Sequence, residues 1–230
     1  MTRTYRLAPA EPIAALNRVR LLENGEPLVD LRLQGVSVLR DSAVPWVREG
    51  VAYKLAHARK LLAPYDIGLR EAWRSPERQK FLYDYYFASL DTSKGYATRR
   101  RLANRFFAPY DQKAPPGHST GAAIDVWLLN GNREPISLDG PGQRFRSAPT
   151  FSHRLPVNVR ENRLLLHDAM LDAGFTNCRD EWWHYSFGDA GWAVRAGVSE
   201  CIYGTVYPHE LEYVPRDRAF FNEFLKNPPF

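Results

Sequence analysis

Apolar positions change their period several times along the chain. Leu28 to Leu39 (LVDLRLQGVSVL) alternates apolar and polar residues and reads as strand, turn, strand. From Val47 to Leu62 the spacing becomes helical, with Val47, Val51, Leu55, Ala58 and Leu62 on one face, and Pro64 ends the run. Tyr65 to Trp73 (YDIGLREAW) predicts a short strand. A helix follows, with Ser75 as N-cap, Pro76 at its first position and Arg78 to Leu90 behind them. Arg74 is thereby expected at a strand end, just before a helix N-terminus. Residues 91–117 form a polar connection, Arg-rich and then Pro-rich. Gly121 to Leu129 (GAAIDVWLL) reads as a buried strand. Residues 130–160 are rich in turn formers and predict a long surface excursion, the kind of ordered loop that often carries function. Val159 to Ala173 predicts a helix stopped by Gly174. Phe175 opens a strand region that runs through Glu181 to Phe187, and the tail beyond has little pattern. Helices and strands mix without regular βαβ alternation, so the expected class is α+β.

Length bears on domain count. The 230 residues favour one domain with long loops, so residues 1–230 are read as a single unit. Hydrophobic residues at 44% and charged residues at 25% describe an ordinary globular composition. No run is long enough to span a bilayer, and the N-terminus lacks the apolar stretch of a secretory signal; the expectation is a cytoplasmic protein with no membrane partner. The two cysteines, Cys178 and Cys201, do not make a disulfide scaffold, although one bridge between them stays open. They have no CxxC spacing, which argues against a thiolate zinc site. The net charge of +5 decides little. Its densest cluster, Arg99, Arg100, Arg101 and Arg105, reads as a solvated helix face, so no nucleic-acid partner is expected.

Two segments carry the candidate chemistry: His118-Ser119-Thr120-Gly121-Ala122-Ala123-Ile124-Asp125 and Glu181-Trp182-Trp183-His184. A catalytic zinc takes three protein ligands, imidazole and carboxylate among them, and keeps a fourth position open. His118, Asp125 and His184 meet that count. Seven residues apart, His118 and Asp125 would point to opposite faces of one straight strand, so they converge only if the chain turns between them. Gly121, after Ser119 and Thr120, offers that turn. Asp125 projects from an apolar run, where a carboxylate costs several kcal/mol unless it has a positive partner. Glu181 is too near His184 in sequence to be far from such a metal, and a carboxylate there suits a general base. Arg74 is the candidate donor for an oxyanion.

Taken together, the segments HSTGAAID and EWWH, with Trp73-Arg74-Ser75 upstream, resemble the D-alanyl-D-alanine dipeptidase family, relatives of the zinc D,D-carboxypeptidases. The resemblance runs over roughly residues 47–190 and leaves outside it an N-terminal extension (1–46) and a C-terminal tail (191–230). It implies one zinc per chain on His118, Asp125 and His184, Glu181 as base, and Arg74 stabilising the transition state. It also implies a central antiparallel sheet flanked by helices with the zinc site on the sheet, a D,D-peptidase/hedgehog-like arrangement. The implied substrate is D-alanyl-D-alanine or a similar short peptide. The chain departs from the family pattern in two places. Pro116 stands where members commonly have Ser. In Gly142-Gln143-Arg144-Phe145-Arg146, Arg146 takes the place of the acidic residue that binds the dipeptide ammonium, and Asp139 is the substitute at hand.

Other readings compete. Within the same chemistry the alternative is a D,D-carboxypeptidase or amidase acting on a longer cell-wall fragment, which an open groove would favour. A non-hydrolytic zinc-containing binding module would be signalled by loss of Glu181, which is present. Ser119 beside His118 lacks the G-x-S-x-G context of a serine nucleophile. His57 and His167 fall on predicted helices and read as structural or surface residues. His153 lies in the long loop, and His209 in the tail.

Overall fold

A computed structural model describes residues 7–140 and 144–226. The described helices are α1 (Ile13–Leu16), α2 (Glu49–Leu62), α3 (Pro76–Ser89), α4 (Tyr96–Ala103), α5 (Val157–Asp172), α6 (Ala190–Ala196) and α7 (Glu210–Lys226). The strands are β1 (Arg20–Leu21), β2 (Leu28–Asp30), β3 (Ser37–Val38), β4 (Trp46–Arg48), β5 (Asp66–Glu71), β6 (Ala123–Leu129), β7 (Thr176–Asn177), β8 (His184–Ser186) and β9 (Glu200–Cys201). The main sheet has the order β3-β5-β6-β8-β7. Its pairs from β5 to β7 are antiparallel, and β3 joins β5 in parallel. The class is α+β, as the mixed pattern implies.

Central strand β6 is buried along its whole length. Alternation sends Ile124, Val126 and Leu128 to one face. These three belong to the main apolar core with Val51, Leu55, Ala58 and Leu62 of α2 and Leu166, Ala169 and Met170 of α5. Asp125 points to the other face. The predicted start of α3 is realised: the Ser75 hydroxyl accepts from the Arg78 amide, and Pro76 follows as the first helical residue. Gly174 ends α5 at a φ of 92°, a conformation open to glycine at little cost.

Four sequence expectations are corrected. Leu28 to Leu39 is not a hairpin, because β2 pairs with β4 while β3 pairs with β5, across a 3-10 turn at Leu31–Gln34. Val47 lies on β4, and the helix begins at Glu49. The connection 91–117 contains α4, whose single buried residue, Ala103, leaves no apolar stripe to read. The tail contains α6 and α7. In α7 the buried stripe is Asp217, Phe220 and Phe224, and a charge and Pro215 obscure its pattern. Among the described residues no helix is long and apolar enough to cross a membrane. Cys178 and Cys201 are both free thiols.

Candidate active site

The site grows out of a row of residues across the sheet. Asp125 of β6 is paired with His184 of β8 on one side and with Glu71 of β5 on the other. The second pairing needs a local irregularity: the register shifts between Leu69 and Glu71, so Arg70 is the extra residue. Such a bulge re-aims the next side chain. It sets Glu71 opposite Asp125 and leaves the Arg70 guanidinium over the Trp127 ring, 4.5 Å from its centroid.

His118 reaches this row from outside the strand. Gly117–Thr120 form a 3-10 turn, and Gly121 closes it in the left-handed region at a φ of 69°. This is the turn that brings His118 back over Asp125. The His118 amide segment is tied to β5's end, with the Arg74 amide donating to the His118 carbonyl at 3.2 Å and the Ser119 hydroxyl donating to the Arg74 carbonyl at 3.0 Å. Gly117 is packed as tightly. A Cβ there would lie 2.3 Å from Asp189 Oδ2, and Asp189 cannot swing away because its Oδ1 accepts from the Ser186 hydroxyl and the Trp192 amide. Gly117→Ala is expected to destabilise the fold by about 1–3 kcal/mol, read as a lower midpoint in thermal unfolding.

The donor atoms of His118, Asp125 and His184 all lie within 4.8 Å of one another. His118 Nε2 is 3.4 Å from Asp125 Oδ1, and His184 Nδ1 is 3.0 Å from the same oxygen. Two donors each about 2.0–2.1 Å from a tetrahedral ion are separated by about 3.3 Å, so the set fits zinc. The tautomer of His118 fits as well. Its Nδ1 lies 2.7 Å from the Ala72 carbonyl, which can only accept, so Nδ1 carries the proton and Nε2 presents its lone pair. Burial pushes the Asp125 carboxyl up, but His118 and His184, when protonated, outweigh it and hold the group well below the usual carboxylate range. Asp125 thus stands ready as an anion.

Arg74 is buried beside the row. Its Nε and Nη2 donate to Glu71 at 3.2 and 2.7 Å, and its Nη1 donates to Gln79 Oε1 at 2.6 Å. Glu71 is shared with Arg78, whose Nη2 lies 3.0 Å away. Burial raises the Glu71 carboxyl, yet the two guanidiniums overcome it and keep it well below its ordinary value. The cluster also ties in the C-terminal helix, since the Ser75 hydroxyl donates to Asp217 of α7. Glu71 is a site-building residue that the sequence reading missed. Its strand is half charged, with Asp66 and Arg70 beside it, so the signal that Asp125 gave was missing.

Phe175 to Phe187 is not one strand. β7 and β8 are separated by a turn at 178–183 that carries Glu181. Asn177, buried, closes this turn. Its Nδ2 donates to the carbonyls of Glu181 (3.1 Å) and His184 (2.9 Å), and its Oδ1 accepts from the Thr150 hydroxyl. Nothing in the local sequence singles out this Asn. Trp182 and Trp183 are buried, the Trp182 amide donating to the Ala148 carbonyl. The turn sets Glu181 on the same cavity of about 740 Å³ as Arg74, His118, Asp125 and His184. Within it, the negative charge of Glu181 favours the charged form of Arg74.

Other predicted positions fall elsewhere. Pro116 lines the cavity, whereas Asp139 and Arg146 are exposed and off it. Asp139 therefore does not supply a carboxylate to the cleft; its charge acts on Arg163 instead. Gly142 and Gln143 lie outside the described residues. His57, His153 and His209 are exposed, and His167 is buried near Phe151 on the α5 side of the molecule. The extension outside the resemblance does reach the site, because Pro9, Glu11, Ile13 and Leu16 help wall the cavity.

Comparison with known proteins identifies relatives of the chain. A family model described as D-ala-D-ala dipeptidase (Peptidase_M15) matches residues 90–203. A D-alanyl-D-alanine dipeptidase of Synechocystis sp. (strain ATCC 27184 / PCC 6803 / Kazusa) is 30% identical over 225 residues, covering 80% of this chain and 90% of that protein. Solved structures that resemble it include the vancomycin-resistance D,D-pentapeptidase VanY in complex with zinc, at 14% identity and a TM-score of 0.46, covering 80% and 95% of the two chains. Another is the D,D-dipeptidase VanXYg with a D-Ala-D-Ala phosphinate analogue, at 20% identity and a TM-score of 0.39, covering 80% and 68%. With the curated relative aligned over most of both chains, this protein belongs to the D-alanyl-D-alanine dipeptidase family of metallopeptidases.

Proposed function

We propose that the protein is a zinc dipeptidase that hydrolyses D-alanyl-D-alanine or a similar short peptide. The observation that carries the reading is the convergence of three metal-capable donors within 4.8 Å on a cavity that also holds Glu181 and Arg74. His118, Asp125 and His184 would hold the metal. Zinc, when bound, supplies a Lewis acid that polarises a carbonyl and lowers the pKa of a water. Glu181 takes the proton of the attacking water on its carboxylate and delivers it to the leaving amine. Arg74 faces the carbonyl oxygen as negative charge gathers there, held in place by Glu71 and Gln79 so that it needs no reorganisation.

Hydrolysis assays with D,D-, L,D- and L,L-dipeptides test the reading. Zinc-loaded protein is expected to prefer D-alanyl-D-alanine, and no turnover of any dipeptide would overturn it. The size of the cavity favours keeping a D,D-carboxypeptidase acting on a longer fragment as the second reading. It predicts faster cleavage of an N-acylated tripeptide than of the free dipeptide.

Arg74→Ala is expected to lower kcat by about 10²–10³ with a modest change in KM and constant zinc content. Arg78 remains on Glu71, so the buried carboxylate keeps a partner and the protein folds with a lower melting point. Arg74→Lys is expected to restore part of the rate, because charge returns without the planar fork. A raised KM with unchanged kcat would instead assign Arg74 to ground-state binding.

A further inference from the structure

The charges around the cavity are unevenly shared. Next to Glu181, Asp180 accepts from two guanidiniums: Arg105 Nη2 at 2.6 Å on Oδ1 and Arg179 Nη2 at 3.2 Å on Oδ2. All three residues line the cavity with the metal-capable side chains. One carboxylate, Asp180, thus holds two guanidiniums on the wall that also carries Glu181. Asp180 engages one terminal nitrogen of each arginine, and the arginines keep their remaining N–H groups available, with side-chain exposures of 45% and 38% against 16% for Asp180. Arg105 is steadied further by the face of Phe106, 5.3 Å from the ring centroid. Elsewhere on the cavity wall the balance is reversed. There Arg195 is shared by Glu11, 2.6 Å from its Nη1, and by the nearby Asp189 charge. Arginines with spare N–H groups thus stand on one part of the wall, and an arginine flanked by two carboxylates on another.

We infer that Arg105 and Arg179, pre-positioned by Asp180, bind the terminal carboxylate of the peptide substrate. This rests on the dipeptidase reading and deepens it. The place of Arg179 in the chain is consistent with the assignment. In a peptide the terminal carboxylate carbon lies only about 4 Å beyond the attacked carbonyl carbon, so its binder must sit beside the base. Arg179 is two residues from Glu181 in the same turn, their Cα atoms no more than about 7.6 Å apart. That turn is braced by the Cys178 amide on the His184 carbonyl (3.0 Å) and the Glu181 amide on the Cys178 carbonyl (3.3 Å). A carboxylate matches the planar fork of a guanidinium, and Asp180 has already restrained both side chains, which lowers the entropy lost on binding. Arg105 comes to Asp180 from 75 positions away in the chain, and its guanidinium meets that of Arg179 on the one carboxylate.

The test measures binding separately from turnover. D-Alanyl-D-alanine and its C-terminal amide are titrated calorimetrically into zinc-loaded full-length protein carrying Glu181→Gln. The free acid is expected to bind about 10- to 100-fold tighter than the amide, the range of a charge-assisted pair. Arg105→Ala and Arg179→Ala, added singly, should each weaken acid binding by about tenfold and leave the amide nearly unchanged. Arg105→Lys should recover part of the loss. Thermal unfolding monitors the fold, and if either Ala variant melts before assay, Arg179→Gln and Arg105→Lys carry the same acid-to-amide comparison. Equal affinity for acid and amide, or variants that weaken both alike, would overturn the assignment. Failure of the dipeptidase reading looks different: no hydrolysis by the zinc-loaded parent protein, whatever the acid-to-amide ratio.

Discussion

Glu181→Gln is expected to reduce turnover by about 10²–10⁴ while leaving zinc content and melting point close to those of the parent protein. Gln has nearly the shape of Glu and cannot take a proton as a base. The backbone of the turn is untouched, because Asn177 holds the carbonyl of residue 181 and not its side chain. The His184 amide also donates to that carbonyl, at 3.2 Å, so the neighbouring ligand keeps its place. Loss of rate therefore reports the carboxylate alone. Single-turnover assays on D-alanyl-D-alanine, with metal analysis of the same sample, make the comparison. Near-parental turnover would move Glu181 to a structural role and leave the proposed mechanism without its base.

His118→Ala and His184→Ala are expected to abolish stoichiometric zinc. The parent protein should hold one zinc per chain after extensive dialysis, and each variant well below that. The reason is the small number of ligands: with one imidazole gone, two donors remain, too few for a catalytic site to retain its metal. Asp125 is affected too. It is buried between two histidines that favour its anionic form, and removing either weakens that support. Metal analysis by mass spectrometry reads the outcome, with circular dichroism confirming the fold. Stoichiometric zinc in the double variant would refute the ligand assignment.

The amino-acid sequence by itself determined the local pieces of the site. Ser75 and Pro76 define where α3 starts, hence where Arg74 stands, since capping and a fixed proline φ act within a few residues. Gly121 determines the turn between His118 and Asp125, because a left-handed conformation strongly favours glycine. Asp125 in an apolar strand announces a positive partner through the energy of burying an unpaired charge. The paired motifs carry the family. What only the tertiary structure decided are relations between distant segments. The bulge that turns Glu71 toward Asp125 arises from pairing β5 with β6, and no periodicity encodes an inserted residue. Helix α4 has almost no buried face, and α7 buries a charged Asp217 among its aromatics, so neither shows a clean apolar period. The wall supplied by Glu11 and Pro9 brings the start of the described chain to Arg195, and Arg105 meets Asp180 from 75 positions away. Side-chain contacts at that separation depend on how the chain closes on itself, which local propensity does not specify.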